Sequence, residues 1–257
     1  MQERQTNREL YFEELAATSK KYFIPYISEF KKIERGMSIL EIGCGDGGNL
    51  LPFAEMGCDT TGVDISSGRI EDAIRFFRKR SARGTFIASD IFKMKELEHK
   101  SDLVICHDVL EHIADKTDFL SKMPQYLKPG GLVFLSFPAW QMPFGGHQQI
   151  CRSKALSHLP FMHLLPACLY KPVLKMGGET EARIEELLDI KKTGTSIEQF
   201  EKLVRKHAIP VVDRRLFFIN PHYEVKFGLK PRRLPSLLAA VPYVRNFFTT
   251  SCFYLLA

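Results

Sequence analysis

The chain has 257 residues, a size that suits one α/β domain rather than two full ones. With 45% hydrophobic and 26% charged residues it can bury a core, which sets disorder aside, and no stretch reaches the roughly 18 uninterrupted apolar residues of a membrane-spanning helix. The formal charge of +6 is mild, and the six cysteines form no CxxC pair, so a cytoplasmic protein with reduced thiols is expected.

The polar start MQERQTNREL lacks the apolar core of a secretory signal. Apolar residues at helical spacing (Leu10, Leu15, Phe23, Ile27, Phe30) predict helix within 8–33, kinked or ended at Pro25. MSILEI (37–42) reads as a buried strand, and the glycine cluster after it leads into a helix over 48–56. CDTTGVD (58–64) is a second strand, followed by helix through GRIEDAIRFFRKRS. GTFIAS (84–89) and DLVICH (102–107) are the third and fourth strands, VLEHIADKTDFLSKMPQYL is one helix, and PGGLVFLSFP (129–138) turns into the fifth strand. Strands alternating with helical stretches imply right-handed βαβ units and a doubly wound, mostly parallel sheet.

The alternation lapses over 139–194, read as a helical insertion after the fifth strand. TSIEQFEKLVRKHA (195–208) is a further helix, and IPVVDRRLFFINPHYEVKFG (209–228) reads as two strands around an Asn220–Pro221 turn. The apolar segments 159–174 and 241–257 are broken by Pro, His, Lys, Arg or Asn, and belong to a lid, an interface or the core. The expected organisation is one domain: an N-terminal helical cap (1–36), a core (37–138), a lid (139–194), and a closing part (195–257).

The loop in SILEIGCGDGGNLL spaces its glycines as Gly43-x-Gly45-x-Gly47 directly after Glu41. A dinucleotide loop needs G-x-G-x-x-G and a P-loop needs a Lys-Ser/Thr pair, and neither pattern is present. A carboxylate at Glu41 would repel a pyrophosphate and suits a ligand that carries positive charge there.

Glu41 through Gly47 resembles the E/D-x-G-x-G-x-G loop of class I S-adenosylmethionine-dependent methyltransferases, and further matches follow in that family's order. Asp64 stands 21 residues beyond Gly43, where the family places an acid on the ribose hydroxyls, with Ile65 beside it. Asp90 matches the contact to the adenine amino group, with Ile91 next to the ring. ICHDVLEHI (105–113) and LKPGGLVFLSFP (127–138) resemble the family's fourth- and fifth-strand segments. The resemblance implies a seven-stranded sheet with one antiparallel strand. It also implies S-adenosyl-L-methionine as cofactor, held by Glu41, Gly43, Cys44, Gly45, Gly47, Asp64, Ile65, Asp90, Ile91 and His107. Backbone N–H groups after the loop can hold its carboxylate.

Methyl transfer needs orientation and, for a hydroxyl acceptor, removal of a proton. Candidate catalytic residues are His107, Asp108, Glu111 and His112 after the fourth strand, and His147 beside Gly145–Gly146 in the insertion. Spaced i, i+3, i+4, Asp108, Glu111 and His112 would share one helix face. DVLEH resembles the E-x-x-E-H segment of metal-assisted O-methyltransferases, including ubiquinone-pathway and small-RNA 2′-O-methylating enzymes, with Asp108 in place of the first Glu. That resemblance implies Mg²⁺ or Mn²⁺ on Asp108, Glu111, His112 and His147.

The expected function is methylation of a hydroxyl on a small molecule or a saccharide or lipid precursor. Two alternatives are an RNA methyltransferase using the basic clusters at 69–83 and 226–233, and a non-catalytic S-adenosylmethionine-binding regulatory protein. The basic clusters read first as a solvated helix face and a loop, so a small-molecule partner is expected ahead of nucleic acid.

Overall fold

Apolar runs with few polar interruptions suit strands covered on both faces, and the computed structural model, which describes residues 7–257, builds its sheet from them. β1 (Ser38–Ile42), β2 (Asp59–Asp64), β3 (Thr85–Ala88), β4 (Ser101–His107) and β5 (Leu127–Phe137) lie parallel. β6 (Val211–Ile219), β7 (Arg232–Arg233) and β8 (Ser251–Leu256) complete an eight-stranded sheet in the order β3-β2-β1-β4-β5-β8-β6-β7. The sheet therefore has eight strands, not seven, the extra one being the two-residue edge strand β7.

The expected closing hairpin within 209–228 does not form. Pro221 has no N–H to give a strand ladder, and the Asn220 carboxamide accepts the His222 N–H at 2.9 Å. Gly228, at φ 71°, then stops the helix His222–Phe227. The partner of β6 is instead the C-terminal β8, which slots antiparallel between β5 and β6 with every residue buried. Of the apolar segment 241–257, β8 thus belongs to the core, while Tyr243, Val244, Phe247 and Phe248 before it are exposed.

Ten helices precede the C-terminal turns among the described residues: α1 (Arg8–Thr18), α2 (Ile24–Ser28), α3 (Leu51–Glu55), α4 (Ser67–Lys79), α5 (Lys116–Lys122), α6 (Lys154–His158), α7 (Ala167–Met176), α8 (Glu181–Thr193), α9 (Ile197–Lys206) and α10 (His222–Phe227). Two four-residue helices, α11 (Ser236–Ala239) and α12 (Val244–Phe247), follow. Pro25 does not break the first helical segment: it lies in the first turn of α2, and a π-helical stretch over Ser19–Phe23 carries the chain past it.

The single helix expected over 109–127 is three pieces. A 3₁₀ turn at Leu110–His112 ends before Asp115, whose side chain caps α5 by accepting the Asp118 N–H at 2.9 Å, and a second 3₁₀ turn runs through Pro124. Asp108 itself has φ 52°. Asp108, Glu111 and His112 consequently do not share a helix face.

Neighbouring residues of a strand point to opposite faces. Leu40, Val104, Leu135 and Tyr254 join one core cluster with Phe200 of α9, while Ile39, Ile105, Phe134 and Phe253 join another with Phe12 and Phe23. The insertion has a small core of its own, including Met162, Tyr170, Leu174, Ile184 and Leu187. All six cysteines are free thiols, and no helix among the described residues is long and apolar enough to cross a membrane.

Candidate functional site

The carboxyl ends of β1, β2 and β4 meet at the glycine loop, the place where open α/β sheets hold ligands. Gly43, Gly45 and Gly47 have φ values of 70°, 52° and 82°, a region that side-chain-bearing residues rarely enter. At Gly43 a Cβ would lie 2.4 Å from Val109 Cγ2, and at Gly48 it would lie 2.5 Å from the Phe12 carbonyl oxygen. The second approach is how α1 lies against the loop. Arg8 of α1 also pairs with buried Asp46 in the loop and, at 2.8 Å, with Asp72 of α4.

Glu41 is fully buried. Asn49 donates to its Oε1 at 2.7 Å, while Oε2 has no hydrogen-bond partner. Burial pushes its carboxyl up to about 8, with Asp64 adding to the rise. An orphaned carboxylate oxygen beside a loop with backbone N–H groups is a complement to a ligand carrying both an ammonium and a carboxylate. Asp64 accepts the Gly45 N–H and the Ser66 N–H, each at 2.8 Å, one on each oxygen, so both oxygens retain acceptor capacity. This donor and acceptor set fits S-adenosylmethionine.

The other expected cofactor contacts are placed differently. Ile65 is 84% exposed next to Asp64. Asp90 caps the following 3₁₀ turn, accepting the Phe92 N–H at 3.1 Å. Ile91 packs in the core and its carbonyl accepts the Tyr126 hydroxyl at 2.8 Å. The Cys44 side chain is buried against Gly62, so only its backbone faces the loop. Tyr22 donates to Glu224, which ties the π-helical stretch to α10.

His107 ends β4, its Nδ1 bonded to the Ser136 hydroxyl and its ring edge-on to Phe23 at 4.9 Å. Its Nε2 lies 3.6 Å from Asp108 Oδ2, and that Asp108 side chain is 40% exposed. Beyond them, Glu111, His112 and His147 bring ligand atoms within 4.8 Å of one another, and Asp108 stands outside this trio. Both Glu111 oxygens are buried without partners, and burial together with Asp108 pushes its carboxyl well up. The His112 and His147 rings meet edge-on at 5.2 Å, and burial with His112 alongside lowers His147 to about 4. An oxygen donor and two imidazoles, one held neutral by its surroundings, suit a divalent cation.

His147 is carried here by tight packing rather than by a flexible glycine pair: a Cβ at Gly146 would lie 2.1 Å from His163 Cβ. His163 donates from Nε2 to the Trp140 carbonyl at 2.7 Å, and burial lowers it to about 4, a structural role. Between the insertion and α10 lies a cavity of about 620 Å³, lined in part by Phe144, Gln149, Arg152, Tyr223 and Lys226. Tyr223 is pushed up to about 12 by burial and by Asp108, and Lys226 helps lower His147, so two lining residues lie within electrostatic reach of Asp108 and His147. The sequence reading had α10 as strand, placed Lys226 only in the basic cluster at 226–233, gave Tyr223 no role and did not single out Arg152 or Lys154. The signal was available as Pro221 and Gly228 bracketing HYEVKF, the Pro-first, Gly-last pattern of a short helix.

With this geometry in place, the sequence matches the methyltransferase-domain family over residues 10–163, and the chain belongs to that family. Its family and fold are those of the class I S-adenosylmethionine-dependent methyltransferases. Among curated relatives, it is 28% identical over 116 residues to the ubiquinone biosynthesis O-methyltransferase of Rickettsia conorii, covering 44% of this chain and 40% of that one. It is 34% identical over 101 residues to the same-named protein of a Chelativorans species, covering 39% of this chain and 40% of the relative. The chain thus spans less than half the length of either relative. The solved structure of Haemonchus contortus phosphoethanolamine N-methyltransferase 2 with S-adenosyl-L-methionine superposes with a TM-score of 0.55 at 18% identity, over 90% of this chain and 50% of that one, a likeness of fold.

Proposed function

We propose that the protein methylates a hydroxyl group of a small molecule seated in the cavity between the insertion and α10. The observation that carries this reading is the Glu111–His112–His147 trio, its ligand atoms within 4.8 Å, with His147 within electrostatic reach of the cavity-lining Lys226. The names of the curated relatives, O-methyltransferases, support the choice of oxygen as acceptor.

Displacement at the methyl carbon requires the donor and acceptor in line. In this reading Glu41 and the loop amides fix the amino-acid end of the donor, Asp64 holds its ribose, and Ile65 and Asp90 border its base. His107, locked by Ser136 and Phe23, forms the floor beneath the reacting atoms. Asp108, exposed to the cleft and outside the trio, receives the hydroxyl proton. Glu111, His112 and His147 would hold Mg²⁺ or Mn²⁺, which when bound lowers the pKa of an acceptor hydroxyl. Phe144 and Tyr223 cover the acceptor and exclude water.

An RNA acceptor has less support. Of the cluster at 69–83, Arg75 is paired with Asp72, Lys79 with Glu9 and Arg80 with Glu13, so these cations hold α4 to α1 and to itself. The test of the metal-assisted reading is methyl transfer after EDTA treatment, with and without added Mg²⁺ or Mn²⁺, together with His112→Ala. Loss with EDTA, restoration by the cation, and loss in the variant are expected. Activity indifferent to both treatments contradicts it.

A further inference from the structure

The cavity that would take the acceptor has a charge of its own. Phe144, Tyr223 and Phe227 give it aromatic surface, with Met142 and Leu229 beside them. Its polar wall is cationic: Arg152 just before α6, Lys154 and His158 of α6, and Lys226 of α10, with no carboxylate among the described lining residues. A volume of about 620 Å³ falls within the range of small-molecule sites.

The state of the two insertion cations sharpens this. Residues 139–194 hold seven lysines and arginines, and five have partners within the fold. Lys171 and Lys175 pair with Glu181, Arg183 bonds the Ile150 carbonyl and approaches Glu186, Lys191 bonds the His163 carbonyl, and Lys192 pairs with Asp189. The remaining two, Arg152 and Lys154, have no ion pair or side-chain hydrogen bond among the described residues, and both line the cavity. Two uncommitted cations on the rim of an otherwise aromatic and aliphatic cavity are a receptor for an anion attached to an apolar body. An arginine fork matches the paired oxygens of a carboxylate or a phosphate, and the adjacent lysine adds a point charge.

We infer that the methyl acceptor is an amphiphile whose apolar or aromatic body fills the cavity and whose anionic group, a carboxylate or a phosphate, is held by Arg152 and Lys154. This inference rests on the proposed function above, since it takes the same cavity to be the acceptor site. The hydroxyl to be methylated then lies at the opposite end of the molecule, toward His147 and Asp108, and the anion acts as the handle that sets its direction. An anion bound at one end and a reacting oxygen at the other is a specificity device: a neutral analogue of the same shape fills the cavity without being oriented.

The probes are naphthoate, naphthyl phosphate and neutral naphthol, titrated by fluorescence against the wild type and against the double variant Arg152→Gln/Lys154→Gln. Titrations are run both with saturating S-adenosylhomocysteine and without it, and S-adenosylhomocysteine affinity is measured separately. In the wild type at least one anionic probe is expected to bind about tenfold or more tightly than naphthol. In the double variant that preference collapses while the melting temperature and the S-adenosylhomocysteine affinity stay unchanged. Which anion binds better identifies the handle as carboxylate or phosphate. Equal affinities for the three probes, no binding of either anion, or an anion preference that survives the double substitution each overturn the inference. Failure of S-adenosylhomocysteine to bind strikes at the methyl-donor site instead, and leaves the probe result to be read on its own.

Discussion

Asp64 is the residue with the most to lose. Its two oxygens hold the N–H groups of Gly45 and Ser66, so it shapes the loop, and in the proposed reading it also holds the ribose. Charge-assisted hydrogen bonds are worth roughly 1.5–3 kcal/mol each, so Asp64→Ala is expected to weaken S-adenosylmethionine binding about tenfold or more by calorimetry. Glu41 makes a prediction about pH. Its carboxyl is raised from 4.5 to about 8, so between those values the folded protein keeps a proton that the unfolded chain has released. Stability without ligand is therefore greatest below the unfolded value and falls as pH rises toward 8. Thermal melts across that window should show the decline, and Glu41→Gln should flatten it. Both residues were legible in the sequence because loop and acid are bound by backbone geometry and short spacing. Asp108 was legible only as a residue type: its left-handed backbone, φ 52°, turns it away from the trio that its spacing had assigned it to.

Among the elements, α1 shows how a glycine can position a helix. Gly48 lets the Phe12 backbone approach the loop, and Phe12 then packs against Phe76 at 5.1 Å. A Cβ there meets backbone rather than a movable side chain, so Gly48→Ala should lower stability by about 1–3 kcal/mol in denaturant titration and weaken cofactor binding as α1 lifts. The five parallel strands were legible because each is a short apolar run between turn signals. The closing part was not, for a physical reason: β6 pairs with β8, and more than thirty residues separate Thr250 from Phe217, to whose carbonyl its N–H donates at 2.8 Å. Local pattern cannot announce so distant a partner. The helix expected over 109–127 failed similarly, because the Asp115 cap and Pro124 interrupt an apolar periodicity that continues across them.

On the scale of the whole molecule, the proposed donor half of the site comes from the sheet and the proposed acceptor half from segments attached to it. The carboxyl ends of β1, β2 and β4 supply the glycine loop, Asp64 and His107, while the insertion and α10 supply His147 and the cavity. Tyr22 and Lys21 meet Glu224, and the Thr18 hydroxyl meets His222 at 2.8 Å, so the first helical segment braces α10 over the acceptor side. Sequence reading assigned roles mainly to residues near the glycine loop, where spacing along one chain segment ties them together, and to few around the cavity, which is assembled from segments far apart in the chain. The most direct test of the account is transfer of a radiolabelled methyl group from S-adenosylmethionine to a cell extract, separated into small-molecule, lipid, RNA and protein fractions. The account predicts label in the small-molecule or lipid-precursor fraction on an ether oxygen, lost with Asp64→Ala. Label in RNA, or no transfer by a protein that binds the cofactor, would contradict it.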